Sequence, residues 1–290
     1  MAVFDSVESL LKEAAASGEE MWEYVLRASS EEANISIDES WAKMSATLEA
    51  MLESYRSYDP EQRSASGLVG GDAQLMKEAR DRGTTICGPF ISSVIATALS
   101  VSECNACMHR IVAAPTAGSC GVLPAVLLPY AHGRKLGDDD LIKALYVASG
   151  FGAVIATRAS ISGAEAGCQA EVGSAAAMAA AALVYLHGGT PEQMANAAAM
   201  ALKNMMGLVC DPVAGLVEVP CVKRNVAGAM NALSAADMAL AGITSRIPPD
   251  EVIDAMKEVG AQLPPGLRET GQGGIAVSPT ALRLFPEEGR

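Results

Sequence analysis

A chain of 290 residues is long enough to bury a sizeable core, and half of it is apolar while only 4% is aromatic, so that core must be built from Ala, Leu, Val and Met. The formal net charge of −13 argues against nucleic acid or an anionic membrane surface as a partner, since both need a basic footprint. Residues 1–60 hold 13 Asp/Glu against 4 Lys/Arg, whereas residues 150–235 hold 5 against 4, which predicts an acidic solvated layer around a neutral interior.

The start, MAVFDSVESLLKE, has neither a basic n-region nor an uninterrupted apolar run, so no signal peptide is read there and a cytoplasmic setting is expected. Asp5 with Glu8, and Ser36 with Glu39, have capping-box spacing, and Leu48, Met51 and Leu52 fall at helical intervals. Residues 61–88 carry Gly67, Gly70, Gly71, Gly83 and Gly88 and read as a break holding one short helix. Pro89 suits the first turn of a helix running to about Ser102. After the loop 114–121 an apolar helix ends near Gly133, and another begins after Asp138.

Val172 to Leu186 is the most membrane-like stretch, but it is short and alanine-rich, which predicts a buried helix. Thr190-Pro-Glu-Gln193 combines an N-cap, a proline at the first helical position and a capping-box glutamine. Pro220 opens a helix that Gly242 ends, and Val252, Ile253, Met256 and Val259 form an amphipathic stripe that Gly260 closes. Residues 261–290, with Pro264, Pro265 and Gly273-Gly274, read as an irregular tail. The expectation is an all-α fold, one largely helical domain with glycine-rich loops between its helices. Residues 1–60 form its acidic N-terminal layer and 61–290 its body.

Seven cysteines, an odd number, suggest metal binding, catalysis or plain burial before disulfides. Cys168 precedes the alanine-rich helix, Cys210 sits in a Gly/Pro loop, and Cys221 follows Pro220 in the first turn of a helix. Cys168 and Cys221 thus lie near helix N-termini, where the dipole favours thiolate. Three thiolates on separate segments suit a cubane cluster with one open iron. Ordinary buried cysteines, or zinc with a histidine, fit the spacing as well. Cys104-x-x-Cys107 sits on a helix end without a thioredoxin context and reads as structural.

The loop Ala114-Pro-Thr-Ala-Gly-Ser-Cys-Gly121 offers small residues, two hydroxyls and a helix start, an arrangement that can aim backbone N–H groups at a carboxylate or phosphate. Its alternative is a tight helix connection. Ser66-Gly-Leu-Val-Gly-Gly-Asp72 is a weaker version of the same signal and lacks a P-loop ending. His109, His132 and His187 each read as structural.

Four segments resemble the iron–sulfur L-serine dehydratases: Ile111 to Val126, Glu165 to Gly173, Cys210 to Asn225, and Arg268-Glu-Thr-x-x-Gly-Gly-Ile-Ala276. The resemblance runs from about residue 60 to 280 and implies a helical catalytic domain. It further implies a [4Fe-4S] cluster on Cys168, Cys210 and Cys221, spaced 42 and 11 positions apart. Thr116, Ala117 and Gly118 would hold the carboxylate of L-serine, with Ser119, Ser66 and Gly67 as further substrate contacts. The implied reaction is deamination of L-serine to pyruvate and ammonia without pyridoxal phosphate. No cysteine follows Cys221, and residues 1–60 are too short and too helical for the extra domain of single-chain relatives. The sequence is therefore similar to the α subunit of the two-chain type, whose β subunit would bring that domain and the catalytic base. A cysteine desulfidase, or a non-catalytic metal-binding subunit, is the competing reading.

Overall fold

Side chains that take up free N–H groups decide where these helices begin. In the computed structural model, which describes residues 4–285, Ser36 accepts from the Glu39 amide and Thr190 forms a complete capping box with Gln193. At the first helix the box is made by Ser6 and Ser9, one residue later than the Asp5–Glu8 spacing suggested, because Asp5 lies outside the first turn. The readings for residues 1–3 and 286–290 lie outside the described residues.

Thirteen α-helices follow in order: α1 Val7–Ser17, α2 Met21–Ala33, α3 Ile37–Arg56, α4 Asp72–Asp81, α5 Gly88–Ala106, α6 Val122–Arg134, α7 Asp138–Arg158, α8 Gly163–Ala166, α9 Ser174–Leu186, α10 Pro191–Asn204, α11 Cys221–Leu240, α12 Pro249–Gln262 and α13 Pro279–Leu284. No strand occurs among the described residues. Among those residues one parallel bridge joins Cys210 to Arg268.

The alanine-rich α9 lies at the centre, against α6, α7, α10 and α11. Ala175, Ala176, Ala177, Ala179, Ala180, Ala181 and Ala182 are wholly buried, and their single methyl groups let four neighbouring helices come close to one axis. Two segments, Asp138–Arg158 and Gln169–Leu186, are long and apolar enough to cross a membrane, and most of each is buried inside the protein. Both are core helices here.

The acidic N-terminal segment folds as α1–α3, with α2 and α3 packed on α7. It is fastened by side chains as well as by packing. Asp250 of α12 accepts from the Val7 and Glu8 amides at 2.8 and 3.0 Å, and Arg158 of α7 donates to the Asp5 carbonyl at 3.2 Å.

Three expectations need correction. Helix α5 runs four residues past Ser102 to Ala106. Gly260 does not close α12 but lies buried within it. A β-carbon there would sit 2.5 Å from the Ala166 β-carbon, so the glycine permits the contact between α12 and α8. The segment after residue 261 is not irregular throughout, since it contains α13, and its Leu267–Glu269 stretch is paired with Cys210.

Candidate metal centre

Three chain segments meet at the N-terminal end of α11, and each brings one cysteine, of which Cys168 and Cys210 share a donor group with Glu171 while Cys221 lies outside it. Cys168 lies two residues past the short α8 and starts a π-helical turn, Gln169–Gly173, that runs directly into α9. A π turn widens the helix by one residue and is often found at functional sites. Here it carries Glu171, three residues beyond Cys168. Cys210 lies in the loop between α10 and α11, its backbone fixed by the Leu267 carbonyl and the Glu269 amide at 2.8 Å each. Cys221 is the first residue of α11. All three are buried and free of disulfides.

Cys168 Sγ and Cys210 Sγ lie 3.8 and 3.9 Å from Glu171 Oε2, and the three ligand atoms fall within 4.8 Å of one another. Gly163 leaves room for them, because a β-carbon there would stand 2.5 Å from Glu171 Oε2 and 3.2 Å from Cys210 Sγ. Arg224, three residues into α11 from Cys221, donates to Cys168 Sγ at 3.5 Å and to the Val209 carbonyl at 2.8 Å, and pairs with Asp211 at 2.8 Å. Asp211 also accepts from the Ile275 amide at 2.7 Å, which fastens the fourth segment noted in the sequence to the cysteine loop.

Protonation follows from burial. The hydrogen bond from Cys210 lowers the Cys168 thiol against the cost of its burial, and the same bond raises Cys210. Burial pushes Cys221 up to about 12. Burial also raises the Glu171 carboxyl, opposed by the Thr116 hydroxyl. Such sulfur-rich donors become thiolates when a cation replaces their protons, and soft thiolates select iron–sulfur clusters or zinc. No histidine joins this donor group among the described residues. His109 contacts Gln62 at 2.6 Å, His187 contacts Tyr130 at 2.7 Å, and His132 is exposed. The chemistry of the donor set therefore fits a cluster better than zinc with a histidine ligand.

The loop with Thr116, Ala117, Gly118 and Ser119 forms one wall beside the cysteines. A β-carbon on Gly118 would lie 3.1 Å from Glu171 Oε1. Asn225 holds this loop to α11: it accepts from the Gly121 amide at 2.9 Å and donates to the Gly118 and Cys221 carbonyls at 2.8 and 3.0 Å. Ser66 and Gly67 reach the same region less directly. The Ser66 hydroxyl donates to the buried carboxylate of Glu218, three residues before Cys221, and Gly67 makes the turn with a positive φ. Cys104 is buried near the end of α5 and Cys107, just past that end, is half-buried; neither belongs to the donor group.

Four residues of this centre carry no assigned role in the sequence reading: Glu171, Asp211, Arg224 and Asn225. The signal for three of them is helical spacing, since Glu171 follows Cys168 by three positions, and Arg224 and Asn225 follow Cys221 by three and four. A cleft of about 570 Å³ between α5 and α6 includes Tyr55, Arg80, Phe90 and His132 and none of the cysteines.

A family model described as "Serine dehydratase alpha chain" matches residues 16–276. Among curated proteins, the probable L-serine dehydratase alpha chain of Bacillus subtilis is 57% identical over 221 residues, which is 76% of this chain and 74% of that protein. The protein of the same name from Latilactobacillus sakei is 57% identical over 190 residues, 66% of this chain and 91% of its own length. The L-serine dehydratase alpha chain of Peptoniphilus asaccharolyticus is 47% identical over 225 residues, 77% of each.

Proposed function

The chain belongs to the serine dehydratase alpha chain family, and from that premise we propose that it is the α subunit of an L-serine dehydratase, a lyase that turns L-serine into pyruvate and ammonia. The observation that carries the site assignment is the convergence of Cys168, Cys210 and Glu171 beside the Thr116–Ser119 loop. In this reading Cys168, Cys210 and Cys221 hold a [4Fe-4S] cluster. When bound, the cluster supplies a Lewis-acidic iron to the substrate hydroxyl.

The chain's own residues have the remaining work. Thr116, Ala117, Gly118 and Ser119 bind the substrate carboxylate through backbone N–H groups and hydroxyls, and Asn225 sets their distance from the cysteines. Ser66 and Gly67 close the pocket from the other side, held through Glu218. Arg224 keeps a positive charge against Cys168 and so favours the thiolate over the thiol. Loss of the Cα proton and of the hydroxyl releases water and leaves an aminoacrylate, which tautomerises to an imine and hydrolyses. The histidines of this chain are engaged elsewhere or exposed, which supports placing the base that takes the Cα proton on a β subunit. Seven unpaired thiols and buried apolar helices suit a cytoplasmic enzyme.

Pyruvate release from L-serine and from L-cysteine, compared after anaerobic purification with a β partner present, tests the reading. The expected result is turnover of L-serine well above L-cysteine. Preference for L-cysteine would place the chain with the desulfidases, and a zinc-loaded inactive protein would make it a non-catalytic metal-binding subunit.

A further inference from the structure

Glu171 is placed where a carboxylate is expensive. It is half-buried on the π turn and its Oε2 faces two sulfurs. Arg224, the cation near it, is already committed to Asp211, to the Val209 carbonyl and to Cys168. A carboxylate in that position is stabilised by a positive partner, and Glu171, Cys168 and Cys210 form a donor group close enough to share a cation. Two glycines leave space around the carboxylate, and one of them also clears Cys210 Sγ. A β-carbon at Gly163 would press on Oε2 and one at Gly118 on Oε1, so both oxygens are kept clear.

From this we infer that Glu171 is itself a cluster ligand, an oxygen donor that closes the iron left open by Cys168, Cys210 and Cys221 until substrate arrives. The inference rests on the proposed iron–sulfur reading and deepens it. Three thiolates leave one iron of a cubane without a protein sulfur, and a carboxylate oxygen is a weaker, harder ligand for it than a fourth thiolate. Such a ligand protects the iron in the resting enzyme yet exchanges readily. The exchange is a simple substitution: the Glu171 oxygen leaves the iron, an oxygen of L-serine takes its place, and no electron is transferred. The adjoining Thr116 hydroxyl then receives the freed carboxylate. A site built this way couples substrate entry to opening of the iron.

The test uses the full chain, reconstituted anaerobically, with Glu171→Gln and Glu171→Ala as variants. Iron and sulfide contents come first, since a wild-type chain that holds neither overturns the iron–sulfur reading itself. With the cluster present, the reduced wild type is prepared from carboxyl-labelled glutamate and measured by electron–nuclear double resonance. The expected result is a hyperfine coupling to one labelled carboxyl carbon that disappears when L-serine is added. It should also be absent in Glu171→Gln, whose Mössbauer spectrum should show one altered iron subsite out of four. The wild-type measurement stands even where a variant fails to fold. No labelled-carbon coupling in the substrate-free wild type, with a complete cluster, would overturn the inference while leaving the cysteine ligands and the activity untouched.

Discussion

Asn225 ties the substrate loop to the cysteine helix with one side chain, accepting from the Gly121 amide and donating to two carbonyls. Replacing it with alanine leaves a buried amide unpaired and is expected to cost about 1–3 kcal/mol in urea unfolding. Asn225→Asp keeps the acceptor but turns the donating end towards two carbonyls as a second acceptor. It should be at least as harmful as alanine, and a milder aspartate variant would contradict the assigned hydrogen bonds. Gly163→Ala acts on the metal side instead. Its β-carbon falls 2.5 Å from Glu171 Oε2, so roughly tenfold weaker iron retention is expected with helix content unchanged by circular dichroism. At this scale the sequence was legible for cysteines, glycines and hydroxyls, whose chemistry is visible one residue at a time. Glu171, Arg224 and Asn225 lay inside the same motifs without a role, because their part depends on helical phase. The π turn at 169–173 resets that phase and leaves no mark in composition.

At the scale of elements, caps and close contacts decide where helices stop and how near they approach. Thr190-Pro-Glu-Gln193 forms the expected box because the motif is local and self-contained. Gly260 misled because glycine after an amphipathic stripe usually ends a helix, whereas here it makes room for Ala166. Gly260→Ala is expected to force α12 away from α8, destabilising the fold by about 1–3 kcal/mol as overpacking does; an unchanged urea midpoint would contradict that contact. Helix α4 owes its start to a residue from α5, since Glu103 accepts from the Asp72 and Ala73 amides at 3.0 and 3.3 Å. No periodicity could reveal a cap supplied from 30 positions away. Burial raises the Glu103 carboxyl above its ordinary range, opposed first by the Tyr58 hydroxyl. Its folded value therefore lies above its unfolded one, so its contribution to stability is fully present below the unfolded value and is lost as pH rises through the folded value. Glu103→Gln keeps an acceptor and removes the charge. Its stability relative to the wild type should improve as pH rises from the acid range towards neutral, and a pH-independent difference would contradict the account.

The whole molecule sets a buried, uncharged alanine core under an acidic outer layer, and that division was legible from charge distribution and aromatic scarcity alone. The joint between the layers was not, because Asp250 and Arg158 are remote in sequence from the α1 amides and the Asp5 carbonyl they bind. The donor group opens beside the Thr116 loop, with no histidine of this chain in it. On the proposed two-chain reading, the isolated α subunit should assemble its cluster yet turn over L-serine far more slowly than with a β subunit. Equal activity with and without β would contradict that division of labour. The central claim, that three particular thiols hold the catalytic iron, is tested most directly by measuring iron content and L-serine-dependent pyruvate formation across single Cys→Ser variants made and assayed anaerobically. The account predicts that Cys168→Ser, Cys210→Ser and Cys221→Ser lose both together, while Cys87→Ser and Cys107→Ser retain both. Full iron content and activity in any of the first three, or their joint loss in either of the last two, would contradict it.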